Sequence, residues 1–233
     1  MPAGFQSFTD SGNTQIDGDW KNFALVDKLG VVSVNTRFES FYFNGVQFRS
    51  PNTTDLIFFH CASDMAIVSI RLEGGGRTFY VATKVEGIAV TVFVFRSQSP
   101  TDSRSGFQVF DAAGTLVFDA NSRYAKISGM LPPQPLNGGE KYQMVGGRTY
   151  AVMYPTWYGR VQQSVSVGAP IAPWIVYTDF SAPSVRCMSD GVQAGPSFSY
   201  GFVEVPWYDP TPPPSSDTYY EGTGFVVADV TGY

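Results

Sequence analysis

Apolar and polar residues alternate with a period of two along most of the chain, the pattern of half-buried β-strands. From Ala66 onward, Ala66, Val68, Ile70 and Leu72 fall on one face, while Ser69, Arg71 and Glu73 fall on the other. Gly74, Gly75 and Gly76 follow, then a second β-rich run from Thr78 to Val85, so the pair predicts a hairpin whose glycines take positive φ. Phe41 to Phe48 predicts a tighter hairpin, because Asn44-Gly45 sits between two alternating runs. Phe107 to Phe110 and Thr115 to Phe118 predict another, turning over Asp111 to Gly114. Ile88 to Phe95 is apolar on both faces and predicts a central strand with a layer on each side. Further strands are expected over Arg148 to Tyr154, Arg160 to Val167, Trp174 to Phe180, Phe198 to Val205 and Phe225 to Val230. No window keeps a 3.6-residue period with caps at both ends, and the nearest, Trp20 to Leu29, reads as strand and turn. The expected fold is all-β, an antiparallel β-sandwich of jelly-roll type with little or no helix.

Three stretches interrupt the pattern. Ser97 to Ser105 is a polar connector, where the body would split if it has two lobes. Leu131 to Gly139 holds too many prolines and glycines for ladder pairing. Pro206 to Asp217 reads as a semi-rigid polyproline spacer. The expected organisation is a sandwich body over 1–205, a proline-rich linker over 206–217 and a C-terminal strand segment over 218–233. That last segment either returns to its own body or reaches a neighbouring copy.

Composition narrows the chemistry. Charged residues make up 15% of the 233, as do aromatics, and the 24 Gly and 16 Pro suit short strands joined by tight turns. The net charge is −5 and the basic residues are scattered, which argues against a nucleic-acid partner. The opening residues show no basic and apolar leader pattern, and the longest apolar run is too short to cross a bilayer as a helix, so no membrane insertion is expected. Cys61 and Cys187 form no metal-ligand spacing and read as buried free thiols. The single histidine, His60, shares a strand face with Leu56 and Phe58 and reads as a hydrogen-bonded core residue. Asp17, Asp19, Asp111, Asp119, Asp190 and Asp209 stand in turn-like settings, where aspartate bonds its own backbone. No catalytic, cofactor-binding or metal-binding residues are expected, and the chain does not read as an enzyme. The functional signal is aromatic: Tyr154, Trp157, Tyr158, Trp207 and Tyr208 fall in loops, where such side chains anchor interfaces or stack on sugars. Phe225 and Val227 join them as candidate contacts on the terminal segment.

The opening from Pro2 to Phe8 and on to Gln15-Ile16-Asp17, together with Gly106 to Asp119, resembles virion proteins of tailed bacteriophages, the siphophages in particular. The resemblance carries no catalytic residues. It implies a minor tail or tail-tip component, assembled in the host cytoplasm and carried in the virion tail, with hub or fibre proteins as partners. Copies on a tail axis imply a homo-oligomer, a trimer in the simplest case, and contact with a host receptor or glycan is within its scope. The other reading is a lectin-like carbohydrate-binding sandwich. A cell-wall hydrolase is disfavoured for want of a catalytic constellation.

Overall fold

The computed structural model describes residues 6–8, 14–17, 22–38, 41–97, 106–111, 113–132, 139–155, 159–167, 174–208, 211–212, 214–220 and 224–233. Within them the chain forms strands only, all paired antiparallel. One sheet has six strands in the order β12 (Lys126–Leu131), β19 (Phe225–Asp229), β14 (Tyr150–Met153), β6 (Leu56–His60), β9 (Ala89–Arg96) and β3 (Ala24–Val32). The other runs β13 (Lys141–Gln143), β17 (Gly191–Trp207), β16 (Trp174–Met188), β7 (Met65–Glu73), β8 (Gly76–Thr83), β5 (Phe41–Ser50) and β4 (Val34–Phe38). Two more strands, β15 (Gly159–Val167) and β18 (Ser216–Tyr220), extend it beside β16. Two small hairpins stand apart: β1 (Gln6–Phe8) with β2 (Thr14–Asp17), and β10 (Gln108–Phe110) with β11 (Leu116–Asp119).

The main core lies between the two large sheets. Phe59, Val92, Tyr150, Val152 and Val227 from the six-stranded sheet meet Met65, Ile67, Phe79, Val81 and Val185 from the other, all buried. This is the antiparallel sandwich that the period-two pattern predicts. Ile88 to Phe95 is central as expected: β9 lies between β6 and β3, with Val90 and Val92 in the main core and Phe93 and Phe95 in a second cluster on its opposite face. The β10–β11 turn is also as read, since Asp111 Oδ1 accepts from the N–H groups of Ala113 and Thr115 at 2.9 and 2.7 Å.

The expected hairpin at Asn44-Gly45 is corrected. β5 runs unbroken through both residues, and the chain reverses between Phe38 and Phe41, which pair with each other. Gly45 is needed for space: a Cβ there would lie 2.2 Å from the Val81 carbonyl oxygen and 2.4 Å from the Phe43 ring. The expected facing of β7 is corrected as well. A bulge between Ile67 and Ser69 reverses the alternation, so Ala66 and Val68 join an outer cluster while Ile70 packs on the main core. Leu72 is exposed.

The organisation into body, linker and terminal segment is revised in three places. Strands from both sides of 97–105 lie next to each other in each large sheet, so no boundary between sheets falls there. The proline-rich stretch is shorter than expected, running from the end of β17 to the start of β18. The terminal strand is no outlier either: β19 sits inside the six-stranded sheet, with β12 on one side and β14 on the other. Five consecutive apolar or buried residues demand cover on both faces, which an edge or a free tail cannot supply.

Gly45→Ala is expected to cost about 1–3 kcal/mol, the range for forcing atoms into a filled interior. Gly30→Ala, where nothing lies within 4 Å of the added carbon, serves as its in-strand control and should cost nothing measurable. Urea unfolding of the two variants checks this, and equal midpoints would refute the close-approach account.

Candidate functional site

His60, Cys61, Cys187 and Asp55 are each engaged in holding the fold. His60 is half-buried and its Nδ1 lies 2.7 Å from the Tyr150 carbonyl oxygen, so the ring proton is spent on the backbone of β14. Cys61 and Cys187 are buried free thiols at the junction of the two sheets, where the Cys187 N–H donates to the Cys61 carbonyl at 2.8 Å. Burial pushes the Cys187 thiol up to about 12 and raises Cys61 too, so neither offers a thiolate near neutral pH.

Asp55 is wholly buried, and Arg96 grips it in a fork, Nε and Nη2 donating to the two carboxylate oxygens at 2.7 and 2.8 Å. Ser50 Oγ adds a third bond at 2.7 Å, and Arg77 donates to the Asp55 main-chain oxygen. Burial alone would raise this carboxyl, but the bonds from Arg96 and Ser50 and the two arginine charges outweigh it and hold it below its usual range. Sequence reading missed this cluster because its members are dispersed along the chain.

Two surfaces remain. The first is a ribbon. The second half of β16 is rooted in the sandwich, paired with β7 through Val185 and Met65, and Ala182 to Val185 are buried. The first half leaves that cover: all of Trp174 to Ser181 are half-buried. There β16 pairs with β17 on one side and β15 on the other, and β15 pairs with β18, giving a four-stranded ribbon in the order β17, β16, β15, β18. Cross-strand pairs Val165–Val176 and Val161–Phe180 place a mostly apolar row on one face beside Trp174, with the polar pair Gln163–Thr178 between them and Phe180 packed on the outer cluster around Phe38 and Phe43. Across β15 and the first half of β16 the charged residues are Arg160 and Asp179.

The second surface is a cleft of about 410 Å³ at one end of the six-stranded sheet. The Leu25 N–H donates to the Arg123 carbonyl and the Ala125 N–H to the Phe23 carbonyl, so residues 123–125 lie along the free edge of β3. Lys126 then opens β12 on the opposite edge. Two residues span at most about 7 Å, so the sheet curls until its edges almost meet. Phe23, Leu25 and the adjoining Ala125 pack on a single cluster around Phe58, Phe93 and Phe95, to which Val226 and Ala228 of β19 also belong. Phe118, Tyr124 and Tyr233 line the cleft at this corner, with Arg123, Lys126 and Asn22.

Compared with known proteins, the chain matches no family model, no curated protein and no solved structure.

Among the described residues, the aromatics singled out from sequence do not form one surface. Tyr154 is buried, its ring edge-on to Phe225 at 4.9 Å, so it plugs the core. Phe225 and Val227 are buried beside it and are corrected from contact residues to core residues, for the reason that puts β19 inside its sheet. Tyr208 is exposed at the end of β17, and the backbone of Trp207 pairs with Trp174. Trp157 and Tyr158 lie outside the described residues. Sequence reading passed over Trp174, Tyr177 and Phe180, which look like ordinary strand residues, and the cleft, whose lining comes from three distant segments.

Acid should expose the dependence on Asp55 and on Asp229, whose carboxyl is also held low, its burial outweighed by bonds from Thr231 and by Arg148. Their folded values lie below the unfolded value of about 3.9, so their stabilisation is complete above that pH and fades as pH falls through the folded values. Asp55→Asn should therefore cost about 3 kcal/mol at pH 7, and clearly less at pH 3. Chemical unfolding at the two pH values checks this; an equal cost at both would contradict it.

Proposed function

We infer that this protein is a non-catalytic component of a phage tail tip or baseplate, working by contact with neighbouring tail proteins such as a hub or fibre. The observation that carries the reading is the ribbon. Strands of 15 and 17 residues pair far along their length, and Trp174 to Ser181 of the first are only half-buried. Extending paired strands with a charge-poor, apolar row costs solubility unless another surface covers the row. The phage-like segments at the start of the chain and over Gly106 to Asp119 give the setting, a virion tail assembled in the host cytoplasm. Threefold assembly belongs to the same reading, with the ribbon replacing the terminal strand as the contact between copies.

The test is a charge placed within the apolar row. Val165→Asp with Val176→Asp alters one cross-strand pair and leaves the sandwich core untouched. Because burying unpaired charge in an interface costs several kcal/mol, incorporation into purified virions should fall more than roughly tenfold. Circular dichroism should stay native, and light scattering should give a trimer for the native chain and a monomer for the variant. Undiminished incorporation of the variant, or particles that never contain the chain by peptide mass spectrometry, would overturn the reading.

A further inference from the structure

The cleft at the curled end of the six-stranded sheet brings together an aromatic wall, two cationic side chains and a buried amide. Phe118 and Tyr124 lie ring on ring, with centroids 5.0 Å apart and planes inclined by 15°. Arg123 and Lys126 are exposed at the rim, and neither has a carboxylate partner among the described residues. The Lys126 ammonium rests 5.3 Å from the centre of the Tyr233 ring. Asn22 lines the same cleft, and its Nδ2 is buried with no hydrogen-bond partner among the described residues. A buried amide donor left unpaired is costly and is met, as a rule, by a bound acceptor.

The walls are fixed in advance. The Tyr124 hydroxyl accepts from the Asp119 N–H at 2.6 Å, and the Tyr233 hydroxyl donates to the Tyr124 carbonyl oxygen. Asp119 is itself buried, accepting from the Asn121 N–H at 2.8 Å and from Gln108 Nε2 at 3.0 Å. On the other side the Lys28 ammonium donates to the Tyr233 main-chain oxygen at 2.6 Å. A ligand would therefore meet rings already held in place, and little ordering would be needed on binding.

We propose that this cleft binds a saccharide carrying an anionic group, a carboxylate or a phosphate. The aromatic stack offers an apolar wall to the flat C–H face of a pyranose ring. Asn22 Nδ2 donates to a sugar hydroxyl or ring oxygen, and Arg123 and Lys126 take the anion. A bare anion would leave the aromatic wall without a role. A nucleic acid would need a basic track, whereas this chain has a net charge of −5 and scattered cations. The site is independent of the ribbon, so it can be tested on the isolated chain whatever the ribbon contacts.

The experiment is calorimetric titration of the full chain with D-glucuronate, D-glucose 6-phosphate, D-glucose, inorganic phosphate and a single-stranded oligonucleotide. Either acidic sugar should bind at least roughly tenfold more tightly than glucose, and the affinity should fall with added salt. Arg123→Glu with Lys126→Glu changes two exposed side chains, so the fold should persist while acidic-sugar binding drops at least roughly tenfold. Lys84→Glu makes a charge change outside the cleft and should leave binding as it was. Asn22→Ala should weaken the sugars and spare any residual binding of phosphate. Preference for glucuronate over the sugar phosphate identifies the anion as a carboxylate, and the reverse as a phosphate. Equal binding of glucose, retention of affinity in the double-Glu variant, phosphate competing as well as the sugars, tighter binding of the oligonucleotide, or no sugar binding at all would each overturn the proposal.

Discussion

The last strand holds the six-stranded sheet together. β19 is bonded to β12 through Lys126–Asp229 and Leu131–Phe225, and to β14 through Tyr150–Asp229 and Met153–Val226. Without it, β12 would have no partner and the buried Val152 would lose its neighbour on one side. The entry to the strand is tight: Gly224 has φ +92°, and a Cβ there would sit 1.9 Å from the Leu131 carbonyl oxygen. The exit is pinned by Asp229, which pairs with Arg148 and accepts from the Thr231 N–H at 2.9 Å. Tyr233 then folds over Phe95, with ring centroids 6.0 Å apart, and becomes a wall of the cleft. The order of the sheet and the existence of the cleft thus follow from one long-range insertion. Such pairing incurs its loop entropy before any contact rewards it, which slows folding relative to local pairing.

Low charge sets the style of the interior. The sandwich has two full apolar layers around the six-stranded sheet, because β6, β9, β14 and β19 are buried on both faces. An ionised group in such surroundings survives only with complete compensation. Asp55 has it, with the fork of Arg96 and the hydroxyl of Ser50 filling its oxygens. His60 and Cys187 carry neutral polar groups that bond main-chain oxygens of neighbouring strands, Tyr150 and Phe59. Asp55, His60 and Cys187 are therefore parts of the scaffold.

β16 shows how one strand serves two environments. Its second half is locked between β7 and β17 with Ser184 and Val185 fully buried, while its first half runs out between β15 and β17 with every residue half-buried. A register shift between Ala182 and Ser184 separates the two regimes. Bulges at such a place bend and re-aim a strand. The row beyond it and the cleft at the curled sheet end are separate surfaces.

Much of the strand content was legible in the residues alone, because a period of two is a local property and needs no partner to be read. Ile88 to Phe95 declared itself central by being apolar on both faces, and Asp111 with Gly114 announced the β10–β11 turn. The same local signals misled where packing overrode them. Asn44-Gly45 has the composition of a turn, yet Gly45 is present because Val81 and the Phe43 ring leave no room for a Cβ. Along Ala66 to Leu72 a single bulge moved Ile70 to the opposite face, and no residue in that run marks where the bulge falls. The prolines before β18 left open whether the last segment returns to its own body or reaches a neighbour, and burial of five residues on both faces places it inside its own sheet. The cleft was beyond any sequence pattern. Asn22, Phe118, Arg123 and Tyr233 become neighbours only when β19 is inserted and the sheet edges curl together, and that pairing is chosen by burial of surfaces from opposite ends of the chain.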